Sequence, residues 1–127
     1  MYQNLTIFRT ATAMAQHAGK QQALVARNIA NADTPGYTAS YLRPFSETMS
    51  RTGPGALRAS RASHLGGGGE GIGRTAQPTN SEPSPSGNAV SLEEEVLRSV
   101  ETTRQHNRAL SIYRHAMQVV RTSIGRA

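Results

Sequence analysis

The chain has 127 residues, of which 36% are apolar and 5% aromatic with no Trp, so its hydrophobic content supports one domain with a thin core at most. Its formal charge of +6 comes from 14 basic residues, all Arg except Lys20, against eight acids, and this raises nucleic acid or an acidic membrane as a partner. The absence of Cys excludes disulfides and thiolate metal sites and leaves the redox compartment unread.

The opening Met1-Tyr2-Gln3-Asn4-Leu5-Thr6-Ile7-Phe8 lacks the basic start and the run of about 7 to 15 apolar residues of a cleaved signal peptide. Polar or charged residues interrupt every candidate for the roughly 20 apolar residues that a bilayer span requires. From about residue 3 to 32 there is no Pro and one Gly, and Ile7, Ala11, Met14, Ala18, Val25 and Ile29 recur at spacings of three, four and seven. That series predicts a helix with one apolar, Ala-rich face, Gln22 filling its gap. Such a helix is about 45 Å long, too long for a compact domain of this size to cover, and Gly19 is its weak point.

Thr34-Pro35-Gly36-Tyr37 places Pro and Gly at the central positions of a type II turn, and Pro35 drives Thr34 out of the helical region. The helix is therefore expected to end near residues 31–33. Asn28 and Asn31 can bond to backbone groups at that end, and Tyr37 can pack back on the helix. Residues 38–88 begin with Tyr41-Leu42-Arg43-Pro44-Phe45 and then lose periodicity through Gly66 to Gly69, Pro78, Pro83 and Pro85. Too little apolar area is available there to offset the entropy of ordering, so a flexible middle is predicted for the free chain.

The last segment opens on Ser91-Leu92-Glu93-Glu94, a capping box in which Ser91 caps the helix and Glu94 returns a bond. Glu93, Glu94 and Glu95 suit the start of its dipole, and Arg121 and Arg126 suit its end. Leu92, Val96, Val100, Leu110, Tyr113, Met117, Val120 and Ile124 form a near-heptad apolar face, interrupted by Thr103 and Asn107. This pattern fits a coiled-coil seam, with Asn107 either setting register within it or lying on its wet edge.

Signals for catalysis fail one after another. His17, His64, His106 and His115 have no second histidine or carboxylate at helical metal-site spacing. The stretch Gly71-Ile72-Gly73-Arg74-Thr75-Ala76 matches a dinucleotide fingerprint in letters only, since no apolar strand precedes it and Pro78 opposes a following helix. There is no nucleophile elbow and no P-loop, so the reading is no enzyme, no cofactor and no small-molecule substrate. The loop arginines Arg43, Arg51, Arg58, Arg61 and Arg74 are scattered and lack interleaved aromatics, which argues against nucleic acid.

Arg27-Asn28-Ile29-Ala30-Asn31-Ala32-Asp33-Thr34-Pro35-Gly36-Tyr37 closely resembles the N-terminal signature of flagellar axial proteins, the rod, hook and hook-associated subunits. Ser86-Gly87-Asn88-Ala89-Val90-Ser91-Leu92-Glu93-Glu94-Glu95, with the short length and the Gly/Pro-rich middle, is similar to the basal-body rod proteins of the proximal rod. One departure is the repeated Arg98, Arg104, Arg108 and Arg114 in the C-terminal helix. The resemblance implies a structural subunit that polymerises into a helical tube in the periplasm, transmits torque and leaves an export channel. It further implies export by the flagellar type III system without a cleaved signal. Its implied partners are copies of itself, other rod subunits, the adaptor protein at the rod base, the MS ring and the type III export gate.

The expectation is thus an all-α chain whose long N- and C-terminal helices form an antiparallel coiled-coil-like pair. It divides into 1–37 with the signature turn, a flexible Gly/Pro/Ser-rich 38–88, and 89–127. The two apolar faces are expected to pack on each other and on adjacent subunits. An export chaperone and an Arg-rich nucleic-acid binder are the rivals from other classes.

Overall fold

The computed structural model describes residues 2–51, 77–78 and 85–125. In chain order these form α1 (Tyr2–Ala30), β1 (Ser40–Tyr41), α2 (Phe45–Arg51), β2 (Gln77–Pro78) and α3 (Leu92–Ile124). α1 is Ala-rich and free of Pro, which suits an uninterrupted helix, and α3 starts where the Ser91 hydroxyl accepts from the Glu94 amide at 3.4 Å. The Glu94 side chain does not complete the expected capping box; it turns forward to Arg98, 3.7 Å away. α3 closes on Gly125, whose N–H donates to the Arg121 carbonyl at 2.8 Å.

α1 and α3 run antiparallel. Phe8 meets Tyr113 edge to face with ring centroids 5.2 Å apart, the Gln22 amide donates to Ser99 Oγ at 3.2 Å, and Asn28 reaches Glu95 at 3.2 Å. The buried positions recur every seven residues on both helices, Ala11, Ala18 and Val25 against Glu95, Thr102 and Ala109. A seven-residue repeat keeps one seam facing the partner helix, and methyl-sized side chains let the two backbones approach closely. Thr102 fits this narrow seam because its hydroxyl donates to the Arg98 carbonyl at 2.7 Å and leaves no unmet donor.

The α3 half of the seam differs from the apolar face read in the sequence. Leu92, Val96 and Val100 are 50%, 52% and 55% exposed and flank the seam, and Asn107 is exposed rather than set within it. The physical reason is width: opposite Ala11, Ala18 and Val25 there is room for small or hydrogen-bonded groups, so the bulky aliphatics take the edge. Sequence periodicity weighs hydropathy and had no means to rank a glutamate above them.

The chain beyond Tyr37 is tied down further than its composition predicts. After the turn, residues 38–45 run back along one side of the helix pair. Leu42 N–H donates to Gln21 Oε1 at 3.1 Å, and His17 Nε2 donates to the Arg43 carbonyl at 2.8 Å, fixing its proton on that nitrogen. The Phe45 ring packs edge-on against His17, centroids 5.6 Å apart. β1 and β2 pair antiparallel with Ser40 opposite Pro78 and Tyr41 opposite Gln77. The remainder of the expected flexible middle, residues 52–76 and 79–84, lies outside the described residues. Among those described, no helix is long and apolar enough to cross a membrane.

Two glycines of α1 and its turn should respond in opposite directions. Gly19 is exposed, and a Cβ there meets nothing within 4 Å, so Gly19→Ala should raise stability by roughly 0.5–1 kcal/mol. Gly36 holds φ +72°, so Gly36→Ala should lower stability by about 1–2 kcal/mol although its Cβ also meets open space. Urea melts followed by helical circular dichroism check both; a loss of stability in the Gly19 variant contradicts the packing described.

Candidate assembly site

The residues that close the end of α1 make one polar cluster with the start of α3. Asn31 Nδ2 turns back to the Arg27 carbonyl at 2.8 Å, and the Tyr37 N–H to Thr34 C=O bond at 3.3 Å closes the turn over Gly36. The last orphan carbonyls of the helix end are met from the other end of the chain. Asn88 Nδ2 donates to the carbonyls of Asn31, Ala32 and Thr34 at 3.1, 2.7 and 2.7 Å, while its Oδ1 accepts the Val90 N–H at 2.7 Å. Gly87 holds φ +77° to bring this about, its missing Cβ facing the Gly36 backbone at 3.5 Å. The Ala89 N–H then donates to the Tyr37 carbonyl at 3.0 Å.

Asn28 is the centre of the cluster and is fully buried. Its Oδ1 accepts the Tyr37 hydroxyl at 3.1 Å and the Ser40 N–H at 3.2 Å. Its Nδ2 donates to the Ser40 carbonyl and to Glu95 Oε2, both at 3.2 Å. All four bonding directions of the carboxamide are used, and towards Ser40 it takes the place of a neighbouring strand.

Glu95 is also fully buried, and an isolated carboxylate in that position would be prohibitively costly. It is met by Asn28, by the Tyr41 hydroxyl, which donates to Oε1, and by Arg98, whose Nε stands 4.0 Å from Oε1. That last distance is electrostatic rather than a hydrogen bond, and Arg98 Nε is buried without a hydrogen-bond partner. The guanidinium instead lies over the Tyr41 ring, 3.9 Å from its centroid. Burial first, and then the bond to Glu95 and its negative charge, hold the Tyr41 phenol well above its ordinary value of 10.0, with Arg98 opposing.

The cluster fixes geometry, because the polar atoms of Asn28, Asn88 and Glu95 are spent on partners within the chain. Among the described residues no group of three or more His, Asp or Glu side chains is placed to hold a metal ion. Residues 8–38, which carry the turn and Asn28, match the family model described as flagella basal body rod protein. The chain is also 34% identical over 126 residues, 93% of its own length and 93% of the relative's, to the flagellar basal body rod protein FlgB of Agrobacterium fabrum.

The chain belongs to the flagellar basal body rod protein family. It is a structural subunit of the basal-body rod, not an enzyme, and assembles with other rod components. Within this rod subunit the signature residues divide in two. Asn28, Asn31 and Tyr37 carry the bonds together with the exposed Thr34, whose hydroxyl donates to Asn31 Oδ1 at 3.3 Å, whereas Ile29, Ala30, Asp33, Pro35 and Gly36 are exposed around them. Of the helix-face residues, Ala11, Ala18 and Val25 are buried, and Met14, Leu110, Met117 and Val120 are half-buried. Ile7, Leu92, Val96, Val100, Tyr113 and Ile124 are exposed.

Sequence reading missed Asn88, Glu95, Tyr41 and Ser40 as members of this cluster. One signal was present: Glu95, Thr102 and Ala109 share the seven-residue spacing of Ala11, Ala18 and Val25. Reading it required giving a glutamate a seam position.

Asn28→Ala leaves Ser40 and Glu95 short of partners in a buried site and should cost roughly 2–4 kcal/mol in chemical denaturation, an effect below about 0.5 kcal/mol being inconsistent with the geometry. Tyr41 supplies a pH test. Because its proton is held more tightly in the folded chain than in the unfolded one, its contribution is complete below the ordinary phenol value of 10.0 and is lost as pH rises beyond it. Tyr41→Phe should therefore be less stable at neutral pH and show a weaker alkaline loss above pH 10.0, read from urea midpoints across that range.

Proposed function

We propose that this rod subunit occupies the proximal rod in the periplasm, reaches it through the flagellar type III export gate without a cleaved signal, and stacks into a tube with an open central channel. Its neighbours in this reading are copies of itself, other rod subunits, the adaptor at the rod base and the MS ring. Torque passes through the contacts between subunits. Support comes from the likeness to FlgB over nearly the whole of both chains.

The observation that carries the assembly part is the strip of exposed aliphatics on α3. The α1–α3 seam is already closed by Ala11, Ala18, Val25, Thr102 and Ala109, yet Leu92, Val96, Val100 and the 71% exposed Leu97 remain outside it. An apolar patch on a helix pair that has completed its own seam marks a protein contact. Residues 1–37 and 89–127 act together as the assembling unit, and residues 38–88 form the connection between them.

In purified basal bodies a tagged copy of the chain should remain with the rod fraction after filament, hook and membrane are removed. Val100→Asp, at an exposed position, should leave the melting of the free chain within about 0.5 kcal/mol and lower its retention in that fraction. Recovery of the tagged chain only in the soluble fraction, as a stable dimer bound to export substrates, would instead identify a chaperone.

A further inference from the structure

Residues 38–45 are held on the helix pair in two stages. Up to Tyr41 the holding groups belong to the buried cluster: Asn28 bonds both backbone groups of Ser40, and the Tyr41 hydroxyl donates to Glu95. Beyond Tyr41 the chain turns to α1. The Leu42 N–H donates to Gln21 Oε1, the Arg43 carbonyl accepts from His17 Nε2 at 2.8 Å, and the Phe45 ring that opens α2 packs edge-on against the same imidazole. The second stage therefore ends largely on one titratable side chain.

His17 is 3% exposed. The proton of its neutral ring is spent on Arg43, and Nδ1 is buried with no hydrogen-bond partner. Uptake of a second proton turns Nδ1 from an acceptor into a donor, and sets an unmet N–H and a positive charge in the same dry position. The surroundings do not offset this. On α1 itself Lys20 stands one turn along, residues 42–45 bring Arg43, and α2 brings the exposed Glu47. On α3 the flank that lays Arg98 over Tyr41 repeats seven residues on at the half-buried Gln105, with Glu101 and Arg108 exposed outside it. Glu101 already faces Arg104 at 3.8 Å. Cations thus outnumber carboxylates on this side, and no carboxylate bonds to Nδ1.

Going beyond the rod reading and independent of it, we propose that His17 is an acid-sensitive latch. Its protonation frees residues 42–51 from α1, with Tyr41 as the hinge, while the cluster around Asn28 and the α1–α3 seam stay closed. Water reaches the imidazolium when the Arg43 carbonyl and the Phe45 ring leave it. Acid drives the release because the freed form holds one more proton than the docked form and gains as pH falls. Asn28, which holds Ser40, does not titrate.

Amide hydrogen exchange of the full chain, followed by NMR and corrected for its intrinsic pH dependence, reads the two stages separately through the Leu42 and Ser40 N–H groups. Between about pH 8 and 5 the protection of Leu42 should fall at least about tenfold while that of Ser40 changes less than about twofold. The fall should track the ring signals of His17, not those of His106 or His115. His17→Gln keeps an amide donor for the Arg43 carbonyl and cannot titrate, so its Leu42 protection should be the same at both ends of the range. Leu42 protection in wild type that ignores pH, or that falls at a pH where the His17 ring does not titrate, overturns the proposal. So does an equal fall in His17→Gln, which would assign the effect to a carboxylate such as Glu47 or Glu95, and so does a joint loss at Ser40 and Leu42, which is acid unfolding of the whole. Where His17→Gln leaves Leu42 unprotected at every pH, the match between the wild-type ring titration and Leu42 protection decides alone.

Discussion

Everything at the turn end of the molecule depends on one carboxamide. Asn28 is fully buried with all four of its bonding directions filled, and its partners come from the turn, from β1 and from α3. A buried polar group with this degree of satisfaction costs little to keep and a great deal to disturb, because loss of any partner leaves others unmet in low dielectric. It also fixes the register of α1 on α3 at this end, as Gln22 with Ser99 and Phe8 with Tyr113 do further along, since Ala11 and Ala18 offer only methyl groups to hold it in place. Glu95 is the reciprocal constraint: a charge within a seam of small side chains is tolerated only where Asn28, Tyr41 and Arg98 converge.

The two stretches that resemble the rod family in sequence, one ending at Tyr37 and one running from Ser86 to Glu95, occupy a single place. Asn88 caps the carbonyls at the end of α1, Glu95 accepts from Asn28, and the Ala89 and Tyr37 backbones bond directly. The chain between them leaves and returns at nearly the same point, so its length can change without moving either helix, and the cost of closing a longer loop rises only slowly with its length. This is a physical reason for a rod subunit to carry its recognisable residues at its ends.

How much of this was legible follows from what each residue needed. The helices were readable because Ala-rich, Pro-free periodicity acts locally; α1 ends at Ala30 and α3 begins at Leu92, within two residues of the limits read from sequence. The turn was readable because Gly36 in the left-handed region is a one-residue requirement. α2 and β1 were not, since seven and two residues carry little periodicity and are held by distant partners, His17, Gln21 and Asn28. The seam was half legible. Ala11, Ala18 and Val25 stood out, whereas Glu95 and Thr102 entered it through hydrogen bonds that hydropathy does not register, and Leu92 and Val96 were displaced to its edge.

That displacement also leaves one groove of the helix pair open among the described residues. A pair of helices has two grooves along its seam, and each helix buries only a stripe of its circumference in the pair. Here one groove is filled in cis by residues 38–45, whose backbone is tied to Gln21, His17 and Asn28, and a further helix is what the other groove lacks. The described part of the chain has no such helix to give, because α2 is seven residues long and is already packed through Phe45 against His17. The strip from Leu92 to Val100 is therefore not a defect of folding but the consequence of building a narrow, polar-locked seam from a chain with few large apolar residues. In the proposed rod assembly a neighbouring subunit supplies that helix.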